Sequence, residues 1–168
     1  MSDMPDHADH AQPLTEGCGA PGSPVIVVGI DGSETSWDAF WWACGETRRL
    51  SGRVVAVFVG PTSAARAAAS TAPFCASFLA LGVIEQTENE QATQLSQETC
   101  RYAADHGLQF TFVHAHGDTA QELLRVAVGA RADLIVVGRS AKARHHIAGS
   151  LGRRLTRNHK APIIVVVP

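Results

Sequence analysis

A chain of 168 residues, 45% hydrophobic and 18% charged with a net charge of −2, has the length and composition of one domain with a sizeable core. That balance excludes disorder throughout and argues against a polyanion-binding protein, so no nucleic acid partner is expected. No apolar run approaches the roughly 20 residues that span a bilayer, and the N-terminus lacks the basic-then-apolar layout of a signal peptide; no membrane partner is expected, and the expected compartment is the cytoplasm.

Residues Met1 to Ser23 combine Pro, Gly, Asp and His with few large apolar side chains, too few to offset the entropy of ordering them. A disordered tail over 1–23 is expected, ahead of a domain over 24–168. His7 and His10 of this tail lack the further ligands that a closed metal site needs. Val25 to Asp31 is a β-branched run without polar alternation, the pattern of a central parallel strand covered on both faces. Ser33 can cap the next helix, in which Trp37, Trp41, Ala43 and Cys44 recur at helical spacing to about Leu50 before Ser51-Gly52 stops it. Val54 to Val59 reads as a second buried strand, ended by Gly60-Pro61.

Residues 61–82, rich in Ala, Ser and Thr without a firm period, read as an insertion. A surface helix follows from about Val83 to His106, with Ala92, Leu95, Thr99, Tyr102 and Ala103 on one stripe and Gly107 as its stop. Phe110 to Ala115 is a third strand, and Gly117-Asp118-Thr119 a turn with a capping residue. Ala120 to Ala130 is a third helix with Leu123, Leu124, Ala127 and Val128 inward. Asp133 to Gly138, Gly149 to about Asn158, and Pro162 to Val167 complete the alternation as strand, helix and strand. Such an order implies an α/β fold with a doubly wound parallel sheet, in which ligands collect beyond the carboxyl ends of the strands where strand order reverses.

Asp31, Val59 and Gly138 all lie at predicted carboxyl ends. A buried strand ending in Gly138, then a loop, then Gly149-Ser150 opening a helix is the layout of a phosphate site, because loop N–H groups and first-turn donors converge on one anion. Between Arg139 and Lys160 stand Arg139, Lys142, Arg144, Arg153, Arg154, Arg157 and Lys160 with no carboxylate, either anion partners or a solvated basic face. His145 and His146 read as exposed loop residues.

Cys18, Cys44, Cys75 and Cys100 form no C-x-x-C pair; Cys44 and Cys100 read as small core fillers. Trp37, Trp41 and Trp42 cannot all share one helix face, so core packing competes with an exposed patch. No G-x-S-x-G elbow, Walker lysine loop or H-E-x-x-H helix occurs, so no enzyme activity is expected. His114 and His116 straddle the end of the third strand on one face; without a nearby acid they read as structural, and no metal is expected.

The segments V-V-G-I-D-G-S at Val27 to Ser33, Gly117-Asp118, A-D-L-I-V-V-G at Ala132 to Gly138 and A-P-I-I-V-V-V-P at Ala161 to Pro168, in this order and spacing, resemble the universal stress protein family from about Val25 to Pro168. The resemblance implies a flavodoxin-like (Rossmann-type) five-stranded sheet of order 3-2-1-4-5 and a homodimer through the last strands. For this chain that means Ile163 to Val167, an apolar edge that invites pairing with a second copy. It also implies an adenine-nucleotide (ATP) site, with Asp31 beside the adenosine, the Val59 backbone facing adenine, and Gly138, Arg139, Gly149, Ser150 and Leu151 at phosphate and ribose. Nucleotide-binding members carry G-x-x-G, nine residues, then G-S or G-T. Here Ala141 replaces the second glycine and seven residues, Lys142 to Ala148, precede Gly149-Ser150. Those departures point to the alternative, a non-nucleotide-binding dimeric interaction protein of the universal stress protein A type, and both readings stand at this point.

Overall fold

A computed structural model describes residues 22–60, 74–139, 150–157 and 162–168. The expectations for the tail up to residue 21, the first part of the 61–82 insertion, the Ala141–Ala148 loop with its histidines, Gly149 and Lys160 lie outside the described residues. Among the described residues nine elements alternate: β1 (Val25–Gly29), α1 (Glu34–Leu50), β2 (Arg53–Gly60), α2 (Phe74–Asp105), β3 (Gln109–His116), α3 (Thr119–Ala130), β4 (Leu134–Gly138), α4 (Ser150–Thr156) and β5 (Ile163–Val167). All strand pairs are parallel, and the sheet order is β3-β2-β1-β4-β5, the 3-2-1-4-5 flavodoxin-like order expected from the sequence.

The central strands β2, β1 and β4 have no polar alternation because both of their faces are covered. On one face Ile26, Val28, Val54, Ala56, Phe58 and Val136 pack under α1 and α2, which contribute Ala39, Phe40, Ala43, Cys44, Ala92 and Leu95. On the other, the alternate residues Val25, Val27, Val55, Val57, Ile135 and Val137 meet Leu123, Val126 and Ala127 of α3 and Leu155 of α4. This two-residue period splits one strand sequence into two cores. Each fully buried aliphatic side chain contributes roughly 1.5–3 kcal/mol, which makes the central strands the main source of stability.

Four local readings are corrected. In α1 the inward stripe is Ser36, Ala39, Phe40, Ala43, Cys44 and Thr47, with Trp37 and Trp42 packed at its margins. Trp41 is 49% exposed and stacks on Trp37, with ring centroids 6.1 Å apart. At about 100° per residue the buried stripe runs from Ala39 on one side of Phe40 to Cys44 on the other, and Trp41 falls about 100° past Phe40, beyond the Cys44 edge, so the sheet does not cover it. In α2 the expected stripe is inward, but the helix starts at Phe74, directly after Pro73, and runs through Gly82. A single glycine costs a helix only about 1 kcal/mol and does not stop it.

In α3 Val126 is buried and Val128 is 64% exposed, which reverses the expected orientation of Val128. The 3.6-residue period set by Leu123 and Ala127 puts Val126, not Val128, on the covered side. Cys100 is exposed on α2 beside buried Thr99, whereas Cys44 is buried and its thiol is pushed up to about 12 by that burial. Cys44 is therefore held as an unreactive thiol.

Candidate functional site

From β1 the chain moves outward through β2 to β3 and then returns to β4 on the opposite side of β1. Strand order thus reverses between β1 and β4. Helices leave the two strands on opposite faces there, and a crevice opens beyond their carboxyl ends. A cavity of ≈ 410 Å³ occupies it, within the size range of small-molecule sites. Its walls come from Gly29 to Asp31 after β1, the first turn of α1, Val57 and Val59 of β2, Thr119 and Leu123 of α3, Val137 and Gly138 of β4, and Leu151, Gly152 and Arg154 of α4.

Asp31 organises the turn from β1 into α1. Its Oδ1 accepts from the Ser33 N–H at 3.0 Å and from the Ser33 hydroxyl at 2.6 Å. Its own N–H donates to Ser36 Oγ at 3.3 Å, and its carbonyl accepts from Gln91 Nε2 at 2.9 Å. Between them Gly32 has φ +83°, a left-handed conformation that glycine adopts without a Cβ penalty. Ser33 is the N-cap of α1, accepting from the Ser36 N–H at 3.3 Å. Partial burial pushes the Asp31 carboxyl up, but the bonds from Ser33, with those from Ser36 and the backbone, outweigh it and hold the group below its ordinary value. The carboxylate is thus held ionised at the cavity wall.

Gly138 stands where β4 meets the first turn of α1. A Cβ there would fall on the Thr35 carbonyl and within 2.9 Å of the Ser36 N–H nitrogen, so the packing of the two elements itself requires glycine. Arg139 is exposed, and its N–H donates to the Val167 carbonyl at 2.8 Å, extending the β4–β5 ladder. Arg139 is not among the residues that line the cavity. Ser150 opens α4, and Leu151 is half-buried in the cavity wall.

Sequence reading left Arg154 between ligand group and solvated face, and did not find Thr35, Ser36 or Thr119. Arg154 lines the cavity, and its Nη2 donates to Asp118 Oδ1 at 2.7 Å. Asp118 is also the N-cap of α3, accepting from the Gln121 N–H at 3.1 Å. The bond from Arg154, with that from Gln121, holds the Asp118 carboxyl below its usual value. One wall of the cavity therefore presents an anion and another a cation. A carboxylate accepts from hydroxyl or amino groups, and a guanidinium pairs with anionic oxygens. The signal for Arg154 was its place in a carboxylate-free basic stretch, but its partner lies 36 residues away.

His114 and His116 are not cavity residues. They sit at the end of β3 with His114 against Phe58, on the face covered by α1 and α2. The expectation that they lack a nearby acid is corrected, because Glu88 of α2 lies beside both. That acid precedes His114 by 26 residues in sequence, and only the packing of α2 on β2 and β3 brings it to them.

Among the described residues no helix is long and apolar enough to cross a membrane. The model of the universal stress protein family matches residues 24–167. The fold superimposes on the universal stress protein UspA from Lactobacillus plantarum with a TM-score of 0.71 at 19% identity, covering 87% of this chain and 98% of that one. A universal stress protein from Archaeoglobus fulgidus in complex with dAMP gives 0.59 at 15% identity, covering 86% and 97%. One from Arabidopsis thaliana with AMP bound gives 0.60 at 13% identity, covering 86% and 92%. A comparison with curated proteins by sequence gives no match.

Proposed function

The chain belongs to the universal stress protein family, and from that premise we propose that it is a cytosolic regulatory binding module that takes an adenine nucleotide, ATP or a monophosphate, in the cavity between β1 and β4. The base lies toward Val59, the ribose hydroxyls donate to Asp31, and the phosphates lie toward Gly138, Arg139, Gly149, Ser150 and Leu151, with Arg154 as an additional cation. The observation that carries this reading is the convergence of Asp31, Val59, Gly138, Leu151 and Arg154 on one cavity at the strand-order reversal. Two proteins of the same fold carry dAMP and AMP, which supports the ligand class.

Binding biases the loop before α4 and α4 itself, and so changes affinity for a partner. A second reading, the nucleotide-free dimeric interaction protein, is favoured by Ala141 and the seven-residue loop. Both readings take the homodimer to form along the open edge of β5. To separate them, small molecules released on denaturing protein purified without nucleotide are identified by mass spectrometry, and ATP and AMP are then titrated by calorimetry. Carried nucleotide, or saturable binding weakened at least about tenfold in Arg154→Ala and Ser150→Ala, is the expected result. An empty protein that ignores both nucleotides leaves the interaction reading.

A further inference from the structure

Apart from the cavity, a second group of polar side chains converges at the outer part of the sheet. His114 and His116 are two residues apart on β3, so their side chains leave the same face of the strand. Glu88, from α2, reaches over the end of β2 toward both. Its Oε1 lies 3.2 Å from His116 Nε2 and 3.5 Å from His114 Nε2. The imidazole rings are 4.4 Å apart between centroids, and His114 is further fixed by Phe58 at 5.3 Å.

We propose that Glu88, His114 and His116 form a binding site for a divalent transition metal of the zinc class. The three candidate ligand atoms all lie within 4.8 Å of one another. Two imidazole nitrogens and a carboxylate oxygen make a donor set typical of zinc with an open fourth position. Bonds of 2.0–2.1 Å in tetrahedral geometry place neighbouring ligand atoms about 3.3 Å apart, and the two Glu88–histidine distances bracket that value.

Burial is graded in the way such a site requires. The Glu88 side chain is 5% exposed, that of His114 24% and that of His116 52%, so the carboxylate is anchored in protein while the metal approaches past His116 and keeps a solvent-facing position. Gly60 makes room for the Glu88 carboxylate: any Cβ at that position would fall on it and come within 3.3 Å of the His116 ring. The glycine that ends β2 is thus the floor of the site, one residue beyond Val59 of the nucleotide cavity but on the opposite face of the sheet.

Zinc is titrated into the full, metal-stripped chain in competition with a chromogenic chelator, and Co²⁺ is titrated in parallel to read d–d absorption. One equivalent per chain is expected, with a four- or five-coordinate Co²⁺ spectrum, and long-range ¹⁵N NMR should show two of the eight histidines ligated through Nε2. Loss of supporting partners around a metal typically weakens it 10–100-fold, so His116→Asn and Glu88→Gln, which remove ligands, should weaken zinc by at least about 100-fold. Gly60→Ala should weaken it although all three ligands remain. A chain carrying His7→Gln, His10→Gln, His145→Gln and His146→Gln should keep the site. Zinc binding that survives His116→Asn in a folded chain, that disappears with the four distal histidines, or that leaves the NMR signals of His114 and His116 unmoved overturns the proposal. His116 is half exposed, so its replacement leaves the core intact, and the NMR measurement needs no variant.

Discussion

Asp31 shows how one side chain serves the fold before any ligand arrives. It ties Ser33, and through Ser33 and Ser36 the start of α1, to the end of β1. Its carboxyl is held below the ordinary value in the folded protein. The ionised form is therefore favoured by folding, and the resulting stability is present above the unfolded pKa of about 3.9 and is lost as pH falls through the lower folded value. Asp31→Asn should lower the melting temperature at neutral pH, and the gap between variant and parent should close as pH is taken below about 4. A gap that is constant with pH, followed by calorimetry or circular dichroism, would remove ionisation from the account. Asp31 was legible in the sequence because a carboxylate following a buried strand and preceding a serine cap is a local pattern. Glu88 was not, because nothing in a polar helix face distinguishes a glutamate that meets two histidines from one that meets water.

Backbone meets backbone closely at the junction of β4 with the first turn of α1. Gly138 looks like a phosphate-loop glycine in sequence, yet the structure gives it a second reason: backbone of Thr35 and Ser36 fills the place of a Cβ. Gly138→Ala forces that contact apart and should destabilise the domain by about 3 kcal/mol, the upper part of the range for overpacking. Gly129→Ala on α3 is the control, because a Cβ there meets nothing and alanine favours the helix by up to about 1 kcal/mol. Urea unfolding of the two variants should shift the midpoint in opposite directions; equal shifts would mean that β4 and α1 yield more easily than their packing indicates. The same scale explains Trp41 and Val128. Spacing of apolar residues shows that α1 and α3 are amphipathic, but the phase of the stripe is set by the sheet, and Phe40 and Val126 win the inward positions.

For the molecule as a whole, the sheet has edge strands β3 and β5 among the described strands, and β5, which pairs with β4 alone, is the more apolar of the two. Ile163 is 69% exposed and Val166 40%, whereas Val165 packs against the core under α1. An apolar edge of this kind is a template for a second copy. The proposed homodimer is therefore best tested at Ile163, outside the core: Ile163→Lys should sediment as a monomer, with a change in unfolding free energy of the isolated chain within about 0.5 kcal/mol. A variant that remains dimeric would place the interface elsewhere.

The sequence by itself determined the class and order of the elements, because strands buried on both faces must be continuous β-branched runs and helices between them must begin at caps and end at glycines or left-handed turns. It also marked Asp31, Val59 and Gly138 as strand ends. Tertiary structure alone decided that Arg154 shares one cavity with those strand ends, that Asp118 holds Arg154, that Gly60 accommodates Glu88, and that Glu88 meets His114 and His116. Each of these depends on the register between parallel strands and on which face a crossover helix covers, and contacts between residues tens of positions apart leave no local period to read.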